Sequence, residues 1–369
     1  MQAHAVFVID LVQDVTVLRP LIFMAARDFG FQTELLVAAK FSARDATGLW
    51  RQELVEIARD CGARVHFFRN DWQAHGLLDR QGVIFSASES SLQQHATTHN
   101  LFRHTPAGYL KVTVQHGYEC VGFRHNADHA RSHGGTASFA ADILCAWMPE
   151  DRLTSMAPSQ MPKVRVTGPT SVLQLPQCEV QRLATSPGLV CENLHSVRFK
   201  GSRDFKNEFL KTFTEFAGVM ALSDLEVVLR AHPGGQYAVR NRIALPPNVR
   251  VENAPLYRLD LRRFAYGISA PSSILIDMLL ADIPTAVWRD RRGTLDTDNY
   301  AGLWEVSTAR DWADFVRASD EQRDEIVKRQ REFLERTAMP LDTREVFDRY
   351  AALFAAAKRM ADPPIPGRR

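Results

Sequence analysis

No stretch of the chain approaches the roughly 18 uninterrupted apolar residues that a membrane-spanning helix needs, so none is expected. The five cysteines (Cys61, Cys120, Cys145, Cys178 and Cys191) are scattered and include no CxxC pair. That pattern speaks against structural zinc and a disulfide framework and suits reduced thiols in a cytoplasmic chain. A surplus of one charge is missing too. Forty-five basic residues against 43 acidic ones leave +2, too little for bulk electrostatics to hold a nucleic acid. The opening MQAHAVFVIDLVQDV has an apolar run but neither a basic flank nor a small-residue cleavage site, so it does not read as a signal peptide. Attachment to the inner face of the cytoplasmic membrane stays open.

Three catalytic signatures are also absent. No G-x-G-x-x-G follows the first apolar strand, which disfavours a dinucleotide oxidoreductase. No P-loop occurs, which removes that route to phosphoryl transfer, and no G-x-S-x-G elbow supports a hydrolase.

What is present is alternation. AVFVI (5–9), TELLVAA (33–39), ARVHFF (63–68), GVIFSAS (82–88), YLKVTVQHG (109–117), ADILCAW (141–147) and KVRVTG (163–168) read as short buried strands. Between the first of them lie amphipathic helices that stop at Gly30 and Gly62. After a Pro- and Ser-containing stretch at 169–187 the pattern restarts with GLVCENLH, LEVVLRAHPGG, VRVENA, YGISAP and IPTAVW. Strands alternating with helices imply parallel sheets covered on both faces. The expected fold is therefore α/β, with two facing Rossmann-like domains at 1–168 and 187–330. Helices at 331–369 are expected to pack back on the first domain.

In open parallel sheets, ligands bind beyond the carboxyl ends of the strands. The unusual chemistry of this sequence falls at such positions. Asp10 and Gln13 follow the first strand, and Gln115, His116, Gly117 and Glu119 follow the fifth. Glu192, His195 and Arg198 open the second half. RAHPGG offers a cation (Arg230), an imidazole (His232), and Pro233 and Gly234 on backbone that can approach closely. A phosphate needs all of these, although a plain strand exit reads the same way. Ser272 and Ser273 stand ahead of an apolar helix, either as its cap or as phosphate-binding hydroxyls, with Asp277 about one turn on. Glu192, Glu119 and His116 are the candidate reacting groups, and Asp10, Gln13, Gln115, Gly117, His195 and Arg198 the candidate sugar or acceptor contacts. RHNADHARSHGG (124–135) reads as a mobile, histidine-rich loop whose spacing fits no standard zinc motif.

The His-Pro pair at 232–233 and the paired serines at 272–273 resemble a pattern of bacterial GT-B transferases that use cytidine nucleotides. These include GT-B sialyltransferases, CDP-glycerol and ribitol phosphate polymerases, and Kdo transferases of capsule and lipopolysaccharide. The resemblance implies that His232, Ser272 and Ser273 hold the donor's phosphate. QHG at 115–117 is similar to a segment of the Kdo and glycerophosphate groups. VFVIDLVQDVTVLRPLIF and CENLHSVRF look most like the retaining β-Kdo enzymes, where Glu192 stands near the place of an aspartate nucleophile.

The expectation is a glycosyltransferase that moves Kdo, or a related ulosonic acid, from a CMP-sugar donor to an oligosaccharide or lipid-linked surface glycan, with retention. It needs no cofactor and no metal, because a CMP leaving group carries one phosphate. The alternatives are a CDP-polyol phosphotransferase, a non-catalytic nucleotide-sugar-binding protein and, more distantly, a UDP-sugar epimerase. The ending DPPIPGRR suits a linker, as in a module of a larger polysaccharide polymerase.

Overall fold

The computed structural model describes residues 3–45, 47–175, 186–196, 199 and 204–361. Its first sheet contains β1 (His4–Ile9), β2 (Gln32–Ala38), β3 (Arg64–Phe68), β4 (Gly82–Ser86), β5 (Tyr109–Val114), β6 (Ile143–Ala146) and β7 (Val164–Val166). They lie in the order 3-2-1-4-5-6-7, all parallel. The second sheet contains β8 (Gly188–Cys191), β9 (Val227–Arg230), β10 (Val249–Glu252), β11 (Gly267–Ser269), β12 (Thr285–Trp288) and β13 (Trp304–Val306). Its order, 10-9-8-11-12-13, is again all parallel.

Every residue of β1 is buried, as a central parallel strand requires. Phe7 stacks on Phe85 of β4 with ring centroids 5.2 Å apart. In the second half, Phe209 of helix Phe205–Ala221 meets Trp288 edge-on at 5.2 Å. Gly62 ends helix Leu49–Cys61 in the left-handed region (φ 62°), where glycine alone bears no Cβ penalty.

Strand order reverses between β1 and β4 in one sheet and between β8 and β11 in the other. These switch points leave a crevice at the carboxyl ends. Helix Arg323–Thr337 still packs on the second half, against helix Ile274–Leu280. Beyond Pro340 the chain returns. Helix Thr343–Ala361 lies against the first sheet, with Phe354 5.3 Å from Phe85 and 5.1 Å from Phe29, ring to ring. Tyr350 donates its hydroxyl to the Gly168 carbonyl at 3.3 Å.

Two local readings are corrected. The segment 124–135 is not simply a loop. Ala127–His133 is helical, because the Asn126 side chain accepts the His129 N–H at 2.8 Å and caps the turn. β13 was not anticipated: three residues at a sheet edge carry too little apolar periodicity to register.

Candidate functional site

A cavity of about 340 Å³ opens between the carboxyl edges of the two sheets. From the first half it is lined by Gln13, His116, Gly117 and Glu119, and from the second by Glu192, His195, Arg230, His232, Pro233, Ser272 and Ser273. Asp10, Gln115 and Gly234 do not line it. Arg198 lies outside the described residues.

β9 delivers Arg230 into the cavity wall, 7% exposed. Its Nε is buried without a hydrogen-bond partner, and among the described residues it forms no ion pair. Burial disfavours its charge, the nearby Asp277 and Glu252 carboxyls partly offset that, and the open Nε leaves room for a further anion. Gln13 Oε1 and Glu192 Oε2, also on the cavity lining, are likewise buried without a hydrogen-bond partner among the described residues.

His232 follows Arg230 by two residues. Its Nδ1 accepts the Gly234 N–H at 3.1 Å, so the neutral ring carries its proton on Nε2. Burial, then the neighbouring His195 and Arg230, pushes its pKa well below the ordinary imidazole value. The ring therefore stays neutral and offers one directed N–H. His195 lies over it with centroids 4.0 Å apart. A Cβ on Gly235 would meet the His195 ring at 2.7 Å, whereas one on Gly234 would lie 3.3 Å from Gln13 Oε1 and in ordinary contact with the His232 ring at 3.7 Å. Gly235, rather than Gly234, is the glycine that this stack requires.

Glu192 leaves β8 with 2% exposure, and its Oε1 accepts the N–H of Tyr237, the first residue of helix Tyr237–Arg240. Burial pushes this carboxyl up to about 7 against that hydrogen bond. Next to it, Asn193 donates to the Pro271 carbonyl at 2.8 Å and ties the β8 exit to the Ser272–Ser273 segment. Ser273 does not cap its helix. Its Oγ accepts the Tyr118 N–H at 2.8 Å from the opposite half, and a Cβ on Gly117 would come within 2.6 Å of that oxygen.

On the facing side, the His116 Nδ1 donates to the Ala87 carbonyl at 2.6 Å, and Cys120 Sγ lies 3.5 Å from the same nitrogen. Burial lowers its proton affinity, but Cys120, Asp14 and the Ala87 carbonyl outweigh it, and the pKa rises to about 9. His116 is thus a cation facing a neutral His232. Glu119 reaches the cavity, yet its oxygens accept the amides of Asn299 at 2.7 Å and Asn126 at 3.3 Å. Gln115 braces the loop, donating to the Gly117 carbonyl at 2.7 Å and accepting the Trp147 N–H at 2.9 Å. Asp10 pairs with Lys40 at 2.8 Å.

A second cavity of about 220 Å³ adjoins the first and shares Thr16, Leu256 and Asp277 with it. Asp277, pushed up to about 6 by burial, sits one turn beyond Ser273 on helix Ile274–Leu280. Thr16, Leu256 and Tyr300 were missed as lining residues, and nothing in their local pattern marks them. Asn193 lies in the Glu192–His195 strand exit that the sequence marks. The 125–129–133 histidines stack at 5.8 and 6.3 Å, and among the described residues no group of three His, Cys, Asp or Glu is placed to hold a metal ion. No described helix is long and apolar enough to cross a membrane.

No family model and no curated protein matches the chain. Solved structures do. A protein described as a UDP-N-acetylglucosamine 2-epimerase from Listeria monocytogenes superposes with TM-score 0.64 at 12% identity, over 100% of this chain and 99% of that one. A UDP-GlcNAc 2-epimerase from Neisseria meningitidis bound to UDP-GlcNAc gives 0.58 at 11%, over 95% and 100%. The calicheamicin glycosyltransferase gives 0.54 at 13%, over 99% and 100%. At such identities the likeness carries the architecture alone. With its two parallel sheets and returning helix, the chain has the GT-B fold.

Proposed function

We propose that the cleft binds a nucleotide-activated sugar and that the protein is a glycosyltransferase, with a CMP-linked ulosonic acid such as Kdo as donor. The observation that carries this reading is the buried Arg230 guanidinium, whose Nε has no hydrogen-bond partner, beside the Nε2–H of a neutral His232. Together they supply one full charge and one directional donor, matched to a single phosphate. Ser272 adds a hydroxyl on the same wall. His116, the cation opposite, suits a second anionic group, as the carboxylate of an ulosonic acid provides.

Helix Ile274–Leu280 links the two cavities. From Ser273 to Asp277 it advances about 6 Å at ~1.5 Å per residue. In this reading the phosphate occupies the first cavity and the nucleoside the second, with Asp277 on the wall that both share. Glu192 is the reacting carboxylate in this reading, since only its Oε2 is uncommitted and a carboxyl near neutrality can either attack or stabilise a cationic sugar centre. Glu119, held by two amides, is the weaker candidate.

Calorimetry of the pure protein with CMP, CDP and UDP tests the reading. CMP should bind, and His232→Ala should weaken it at least tenfold. Unchanged affinity in the variant removes the site assignment. A specific observation favours one rival, the UDP-sugar epimerase reading: the solved structures reported above include two described as UDP-GlcNAc 2-epimerases. Preference for UDP over CMP, with no CMP released from CMP-sugars, decides for it.

A further inference from the structure

Asp14 is wholly buried near the start of helix Val12–Phe23, just beyond the carboxyl end of β1, and the proposed reaction does not use it. Its Oδ2 accepts the backbone N–H of Asp10 at 2.9 Å and of Leu11 at 2.8 Å. Its Oδ1 accepts the Ser88 hydroxyl at 2.5 Å. Ser88 directly follows Ala87, whose carbonyl takes the His116 Nδ1–H. One buried carboxylate thus fixes a turn, and the turn fixes the imidazole.

The other groups around that ring are few. Cys120 lies on the same loop, and the His95 ring stands edge-on at 6.4 Å, held neutral by burial. His232 lies across the cleft, also neutral, and the Asp10 charge behind Asp14 is matched by Lys40. Asp14 and His116 each act on the other's proton affinity.

We propose that Asp14 is a positioning residue for His116: through Ser88 and the Ala87 carbonyl it sets the tilt of the ring and keeps a proton on Nδ1 when the ring is neutral. The Asp14 carboxylate also adds to the larger effect of Cys120 in favouring the protonated ring. The consequence for donor binding rests on the function proposed above, but the coupling itself does not. Histidine NMR titration of the full chain without nucleotide therefore tests it separately.

In the wild type, His116 should show the Nδ1–H signature and titrate above the ordinary imidazole value. Asp14→Asn should lower its midpoint by about 1–3 units, Asp14→Glu should keep most of the rise, and Ser88→Ala should mix the tautomers. A wild-type midpoint at or below the ordinary value overturns the proposal. So does a folded Asp14→Asn protein whose His116 midpoint has not moved. Should Asp14→Asn not fold, Ser88→Ala carries the test, and a wild-type tautomer and midpoint in it overturns the proposal equally. CMP affinity is measured apart from this, so its absence in the wild type counts against the proposed function and not against the coupling.

Discussion

Ser273 Oγ accepts the Tyr118 backbone N–H at 2.8 Å, joining residues 155 positions apart and the two halves of the molecule. The contact exists because Gly117 has no Cβ to occupy the space beside that oxygen. Either Gly117→Ala or Ser273→Ala should break one hydrogen bond, at about 0.5–1.5 kcal/mol each. Because both remove the same bond, the double variant should cost about as much as either single one. Urea unfolding of the four proteins reads this out, and simple additivity would show that the latch is not shared.

Gly234 and Gly235 should differ. Gly235→Ala drives a Cβ into the His195 ring and displaces the imidazole stacked on His232, so CMP should bind about tenfold more weakly, or about 1.4 kcal/mol. Gly234→Ala should do much less. Equal losses in calorimetry would refute the stack as the reason.

Glu192 gives a pH dependence with a definite sign. Its carboxyl titrates near 7 in the folded chain against an ordinary value near 4.5, so between those pH values the native state binds more protons than the unfolded one. Stability falls as pH rises through that window. Asp14 and Asp277, each raised to about 6, slope the same way. Glu192→Gln should therefore flatten, without abolishing, the decline in urea midpoint from about pH 4.5 to 7. A steeper decline in the variant would contradict the burial argument.

Phe354 is fully buried where the last helix meets Phe29, Phe31 and Phe85. Phe354→Ala should cost about 3–5 kcal/mol. Hydrogen exchange should rise first along helix Thr343–Ala361. Uniform loosening of both sheets would mean that the returning helix is not an independent brace.

Much of the fold was legible because its causes are local. A four- to seven-residue apolar run followed by a helical period and a glycine stop specifies a strand and a helix wherever it occurs, and Gly62 ends its helix where the pattern placed the end. The candidate site was legible in part for the same reason, since Arg230 ends a strand and His232, Glu192 and Ser272 follow strand ends. Gln115 and Asp10 lie at equivalent positions, yet one braces a loop and the other pairs with Lys40. Local pattern cannot separate a side chain turned into the cleft from one turned behind it.

By itself, then, the sequence determined two parallel sheets and the strand ends where chemistry gathers, through periodicity and turn preference acting over a few residues. Tertiary structure alone decided which of those groups meet. Asp14 finds Ser88 across 74 residues, Glu119 finds Asn299 across 180, and Arg230 is left with an unsatisfied guanidinium nitrogen. Each outcome depends on strand order and sheet pairing, which bring together side chains that no local periodicity connects.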